Sequence, residues 1–233
     1  GHYAIINNDN NNYSIQRGKD KVKDQAYVLW GIPKNTLSRT ILPLGDLTKK
    51  EVRVLAKENN FENADTPESM EICFVADNNY KRFINEYTGE SNNDNKGITL
   101  NECGEKIGKN PGFINYTIGQ RKGIGVTNSE PLYVKKIDAE ENTIMVSEKK
   151  SLYSDSCKVS NINWLIEEPT FPFSFNTQIR YNGNVSKAIL TQKNNYSLVT
   201  FDKPQLAVTP GQSIVFFNNE EELLGGGIIE LNE

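Results

Sequence analysis

The alternation of apolar and polar positions changes rhythm twice along this chain, and the changes divide it into three stretches. Up to about residue 77, short strand-like and helix-like segments alternate. Tyr3-Ala4-Ile5-Ile6 is a β-prone run, and the polar tract Asn7–Asn12 after it reads as a solvated hairpin tip. Thr48-Lys49-Lys50-Glu51 has the spacing of a capping box, in which Thr48 bonds the first turn and Glu51 reaches back. Leu47, Val52, Leu55 and Ala56 follow at helical spacing, and Asn59-Asn60 can stop that helix. Proline disfavours helix on both its sides, so Asp65-Thr66-Pro67-Glu68-Ser69 reads as a loop. Cys73 then falls just past that loop, in the short apolar run Ile72-Cys73-Phe74-Val75.

The second stretch, residues 78–152, opens with a predicted helix over Tyr80–Tyr87 and a polar patch from Ser91 to Lys96. Glycines at 97, 104, 108, 112, 119, 123 and 125 then punctuate short strands. From residue 153 the texture changes again. Alternating runs such as Ala188–Thr191, Ser197–Phe201 and Ser213–Phe217 lie between turns, a spacing that predicts a small antiparallel barrel. The expected fold class is therefore α+β and multi-domain, with divisions at 1–77, 78–152 and 153–233. No internal repeat is evident.

Composition narrows the function. Of 233 residues, 36% are hydrophobic and 24% charged, within the range of globular proteins. No apolar run approaches the roughly 20 residues of a membrane span, and Gly1-His2-Tyr3 is not the start of a signal peptide. The chain does not begin with Met, so its first residue is expected to be a cut. The net charge of −4 argues against non-specific nucleic-acid binding, which draws on a basic excess, but leaves room for a local basic surface. Arg17, Lys19, Lys21 and Lys23 form such a run, although a solvated loop has the same composition. Three widely spaced cysteines and one histidine make neither a disulfide framework nor a zinc site, and a reducing cytoplasm is the expected compartment.

Four places could carry chemistry. Cys73, between Ile72 and Phe74, has the setting of a buried small hydrophobe, yet the polar loop upstream brings it near an edge. Gly119-Gln120-Arg121-Lys122-Gly123-Ile124-Gly125 joins permissive backbone to two cations and can form an anion site or a tight basic turn; it is neither a Walker loop nor a dinucleotide fingerprint. Lys23-Asp24-Gln25-Ala26-Tyr27 closes the basic run. Arg180-Tyr181 sets a guanidinium beside a ring, a pair that can bond a phosphate and stack a base, or be ordinary surface. Cys103 and Cys157 stand in polar, Gly- and Ser-flanked contexts and receive no role.

Each signal is weak alone, but their order is distinctive. Gly1-His2-Tyr3, Lys23-Asp24-Gln25, Pro43-Leu44-Gly45, Glu51-Val52-Arg53, Ser69-x-x-Ile72-Cys73-Phe74, Tyr116–Gly123, Tyr133-Val134, Arg180-Tyr181, Ala207–Gln212 and Gly225–Ile229 together resemble the tRNA-specific 2-thiouridylase family, in order and from residue 1 to about 230. The resemblance implies adenylation of the C2 oxygen of a wobble uridine, with ATP and accompanying Mg2+ held mainly by an N-terminal PP-loop domain. Sulfur then arrives from a cysteine persulfide. On this resemblance Cys73 is the catalytic persulfide cysteine and Gly1 lies near the nucleotide. His2, Lys23, Asp24, Gln25, Arg180, Tyr181 and Gln212 match positions that contact tRNA.

The implied partners are tRNA and a sulfur-relay or cysteine desulfurase donor, with neither membrane nor DNA. The implied architecture is the tail of an α/β PP-loop nucleotide domain (1–77), a small central domain (78–152) and a tRNA-binding β-barrel (153–233). The family's Ser-Gly-Gly-x-Asp-Ser signature, its N-terminal acid and its second catalytic cysteine have no counterpart in these residues. The chain is thus expected to be the C-terminal two-thirds of such an enzyme, inactive alone. Glu68-Ser69 stands where the family often has Asp-Ser, a conservative departure. The rival reading is a catalytically silent tRNA-binding module; a thiol oxidoreductase is disfavoured because no second cysteine lies near Cys73.

Overall fold

The computed structural model describes residues 2–66, 75, 77, 79–88 and 96–230. In chain order, strands β1 (Ala4–Asp9) and β2 (Asn12–Arg17) precede helices α1 (Lys49–Glu58) and α2 (Tyr80–Thr88). Strands β3 (Gly97–Leu100), β4 (Lys106–Asn110), β5 (Leu132–Asp138) and β6 (Thr143–Glu148) follow. The chain ends with β7 (Tyr153–Trp164), β8 (Phe173–Gln178), β9 (Ser186–Gln192), β10 (Ser197–Leu206), β11 (Ser213–Phe217) and β12 (Glu222–Ile229). Two compact units result: Gly1–Thr66 together with Ser154–Glu233, and Pro67–Tyr153.

The first unit holds the expected barrel. Strand β12 pairs with both β11 and β7, closing six strands in the order β12-β11-β8-β9-β10-β7. The alternation read from sequence sets the register: Phe175 and Phe201 both lie opposite Ala188, and Val199 lies opposite Leu190, all facing the interior. Full burial of Leu190, Val199, Ile214 and Phe216 contributes roughly 1.5–3 kcal/mol of transfer free energy for each side chain.

Strand β11 is the exception to alternation, because both its faces are covered. Ile214 and Phe216 enter the barrel core, whereas Val215 and Phe217 join a second core with Ala4, Ile15, Leu37 and Leu223. That second core exists because the β1–β2 hairpin extends the sheet: Ile15 pairs with Leu223 and Gln16 with Glu222 of β12. The Asn tract does form the hairpin tip, with Asn10 and Asn11 both at positive φ.

Gly225 and Gly226 are dictated by close approach. A Cβ on Gly225 would stand 2.3 Å from the Asn163 carbonyl oxygen, and one on Gly226 would stand 2.8 Å from Cγ of Trp30. Only bare backbone lets β12 lie against β7 while Trp30 covers it.

Helix α1 begins and ends as its sequence requires. Thr48 Oγ1 accepts from the Glu51 amide at 3.3 Å and the Thr48 amide donates to Glu51 Oε2 at 2.6 Å, a cap worth about 1 kcal/mol. Asn59 caps the other end and Asn60 turns left-handed, at φ 57°. None of its residues is buried; Val54 and Leu55 are exposed.

The second unit contains α2 and a four-stranded sheet ordered β4-β3-β6-β5, in which β3 and β6 are parallel and the other pairs antiparallel. Its core is Tyr116, Ile124, Val134, Ile144 and Val146. The polar patch 91–95 lies outside the described residues.

One cysteine departs from its sequence context. Cys157, read as lying among polar neighbours, occupies an inward position of β7 and is wholly buried in the barrel core. Burial pushes its thiol up to about 12, which suits a packing role. Cys103 is exposed, and neither is in a disulfide.

Candidate nucleic-acid interface

The turn after β2 is held by two aspartates with different duties. Asp20 Oδ1 accepts from the amides of Val22 (3.1 Å) and Lys23 (3.2 Å), and its Oδ2 accepts from the Lys49 amide (2.9 Å) at the start of α1. Those bonds, the Lys49 bond foremost, lower the Asp20 pKa. Asp24 is buried, with Oδ1 accepting from the amides of Gly18 (2.8 Å) and Ala26 (3.4 Å). Its Oδ2 pairs with Arg17 Nη1 at 2.8 Å. Gln25 completes the turn by bonding Tyr3 twice, its amide to the Tyr3 carbonyl (2.9 Å) and its Oε1 from the Tyr3 amide (3.1 Å). Exposed His2 immediately precedes Tyr3, so His2 and the 23–25 turn share one place on the surface.

Arg17 connects this turn to the barrel. Its Nη2 donates to Gln178 Oε1 at 2.6 Å, and its guanidinium carbon sits 4.0 Å above the Phe217 ring. Gln178 Nε2 in turn donates to the carbonyls of Arg180 (2.8 Å) and Tyr181 (2.6 Å). Partly buried hydrogen bonds thus join two segments over 150 positions apart in sequence.

Tyr181 packs edge-on against Tyr27, with ring centroids 6.3 Å apart. Tyr27 donates its hydroxyl to the Ser213 carbonyl at 2.8 Å. Burial raises the Tyr27 pKa, against the pull of the Ser213 bond and the Arg180 charge. Gln212, exposed beside Ser213, is anchored through its backbone: its amide donates to Thr209 (3.2 Å) and its carbonyl accepts from Ile229 (2.9 Å).

Arg180 is exposed, and its Nη2 donates to the carbonyls of Leu206 (3.2 Å) and Ala207 (2.6 Å). Among the described residues, its Nε and Nη1 have no acceptor. A guanidinium steered by two carbonyls, with N–H groups left over, can bond a phosphate.

Of the residues selected from sequence, His2, Lys23, Asp24, Gln25, Arg180, Tyr181 and Gln212 all lie in the first unit. Asp24 has its carboxylate turned to Arg17 and the backbone, so it supports the turn from beneath. Cys73 and Gly1 lie outside the described residues. Among the described residues there is also no acid, histidine or cysteine cluster able to hold a metal ion.

Sequence reading missed Arg17 as a structural group, although a signal existed. Parity along β2 puts Arg17 on the face of fully buried Ile15, not in a solvated run. Gln178 carried no such signal, since a glutamine ending a polar row looks like surface.

The family descriptions matching this chain cover it almost end to end. They are "tRNA methyl transferase HUP domain" over residues 1–77, "tRNA methyl transferase PRC-barrel domain" over 81–148 and "Aminomethyltransferase beta-barrel domain" over 154–229. This defines a multi-domain protein of the tRNA-modifying class.

Among its relatives, the tRNA-specific 2-thiouridylase MnmA of Halothermothrix orenii is 43% identical over 236 residues, covering 100% of this chain and 65% of that protein. The protein of the same name from Caldicellulosiruptor saccharolyticus is 41% identical over 234 residues, covering 99% and 64%. The chain belongs to the tRNA-specific 2-thiouridylase family. It spans less than two thirds of the length of these relatives.

Proposed function

We propose that this chain is part of an ATP-dependent tRNA uridine 2-sulfurtransferase, which replaces the C2 oxygen of the wobble uridine by sulfur. The observation that carries the reading is the likeness to relatives named 2-thiouridylase along the whole chain, at 43% identity. Cys73 is the sulfur carrier: the outer sulfur of its persulfide attacks the activated C2, AMP leaves with the oxygen, and a second cysteine thiol of the whole protein attacks the Cys73 sulfur, releasing 2-thiouridine and leaving a disulfide. ATP, with Mg2+, supplies the chemistry that makes the uridine oxygen a leaving group, and Gly1 would stand near it. The three stretches 1–77, 78–152 and 153–233 act as catalytic, central and tRNA-binding domains.

The docking surface in this proposal is the edge formed by His2, Lys23, Gln25, Arg180, Tyr181 and Gln212, with Asp24 holding the turn beneath it. Net charge is −4, so long-range attraction contributes little and local groups must make the contacts. The sulfur donor is a relay protein or a cysteine desulfurase, and the working compartment is the cytoplasm. Among the described residues no helix is long and apolar enough to cross a membrane.

The test is Cys73→Ser in the whole protein, with 2-thiouridine measured in digested tRNA. Thiolation should fall below detection while tRNA affinity stays within a few-fold, since serine cannot carry a persulfide yet is nearly the same size. Thiolation at the wild-type rate would remove Cys73 from the mechanism; tRNA binding without any thiolation by the unaltered whole protein in the presence of ATP and a sulfur donor would favour a silent binding module.

A further inference from the structure

The loop Gly119–Gly125 has no part in the docking surface above, and its geometry is specific. It is braced from within: Gln120 Oε1 accepts from the Thr117 amide (3.1 Å), and Gln120 Nε2 donates to the Lys122 carbonyl (2.8 Å). It is tied to β5 by two backbone bonds, Gly119 to the Val134 carbonyl (2.7 Å) and Val134 to the Gln120 carbonyl (2.9 Å). Ile124 plugs into the core of the central unit beside Tyr116 and Val134. The loop is therefore braced at both ends of Gln120 and at Ile124.

Arg121 and Lys122 are exposed and make no ion pair among the described residues. The five consecutive amides of Arg121, Lys122, Gly123, Ile124 and Gly125 likewise donate to no acceptor there. Gly123 and Gly125 have φ of 75° and 77°, with Ile124 between them at negative φ. Left-handed residues flanking a right-handed one are the backbone sequence from which anion-binding turns are built. Among the described residues, packing does not require the second of these glycines: a Cβ on Gly125 would meet nothing within 4 Å. The loop's exit runs against β4, where Val126 lies 3.0 Å from the Cβ position of Gly108. That strand also carries exposed Lys106 and Lys109.

We propose that the Gly119–Gly125 loop is a second RNA contact, binding a backbone phosphate of the tRNA through the amides of residues 121–125 and the side chains of Arg121 and Lys122. Amides left without an acceptor between two exposed cations suit a phosphate oxygen, which accepts several donors at once. The inference rests on the tRNA reading above and adds a contact on the central unit.

The experiment titrates tRNA against the full 233-residue chain at several salt concentrations. Arg121→Gln/Lys122→Gln should weaken binding at least about tenfold and flatten the salt dependence by about 1.5–2 units of slope, as loss of two phosphate contacts requires. The matched control Lys149→Gln/Lys150→Gln, also removing two positive charges from the central unit, should change affinity less than about threefold. Gly125→Ala keeps both cations but strains the left-handed backbone, and it should weaken binding too. Circular dichroism checks that each variant is folded. Acetylation of the Lys122 amine gives a readout on the unaltered chain, and tRNA should protect it.

Equal affinity and slope for the wild-type chain and the Arg121/Lys122 variant overturn the proposal, as does unprotected Lys122. Protection of Lys122 by ATP or inorganic phosphate at concentrations where tRNA gives none would assign the loop to a free phosphate ligand instead, and overturn the RNA assignment. If the wild-type chain binds no tRNA at all, the docking reading falls and this contact with it; if it binds and only the loop variants are silent, this contact alone falls.

Discussion

Removing the Arg17 guanidinium should unlock the first unit. Arg17 and Asp24 form an ion pair whose side chains are 11% and 4% exposed, so solvent screens it little. Breaking such a pair by deleting one partner costs about 3–5 kcal/mol, because the other charge stays buried. Arg17→Ala also forfeits the Gln178 bond and the Phe217 contact. Against this, Asp24 keeps two backbone donors, Gly18 and Ala26, which compensate part of the stranded charge.

The lower end, about 3 kcal/mol, is the expected loss; for a unit of this size it lowers the melting temperature by about 6–12 °C. Both tryptophans of the chain, Trp30 and Trp164, belong to the first unit, so their fluorescence reports its unfolding. A cycle with Asp24→Asn should show coupling of at least about 1.5 kcal/mol. Arg17→Ala within about 1 kcal/mol of wild type, or a cycle without coupling, would refute the view that this pair locks the turn to the barrel.

Two further outcomes follow from the same geometry. The Glu51 carboxyl is held down to about 2, chiefly by the Thr48 amide and then by Lys19. Its folded pKa is below its unfolded value, so the capping contribution is complete above about pH 4.5 and is lost as pH falls toward 2. Carboxyl NMR titration should find that low midpoint, and Lys19→Met should raise it; a midpoint near 4.5 in the unaltered chain would contradict the capping box. Arg180→Ala should weaken tRNA binding by about 1.5–3 kcal/mol and reduce the salt slope by about one, whereas Lys149→Ala should do much less; identical behaviour of the two would remove Arg180 from the docking edge.

The barrel and the cap were legible in the sequence because each rests on local rules. Ser197–Phe201 alternates with period two, and Thr48 and Glu51 stand three apart before an apolar face. The two-sided burial of Ser213–Phe217 was not, since an apolar run does not say what covers its second face; here the β1–β2 hairpin does. The joining of residues 17–25 to 178–181 depends on one arginine and one glutamine meeting across more than 150 positions, and no local pattern encodes that. Cys157 shows the reverse error: its serine neighbours point outward, while parity along β7 sends the thiol inward.

The central claim is that Cys73 carries the sulfur that enters tRNA, and a chase of labelled sulfur tests it most directly. The whole protein would be loaded from a cysteine desulfurase with radiolabelled cysteine, freed of donor, then mixed with ATP and tRNA. The account predicts label on the tryptic peptide containing Cys73 before mixing, removable by thiol reductant, and its transfer to tRNA 2-thiouridine in a single turnover. Label that reaches tRNA without ever residing on that peptide would contradict it.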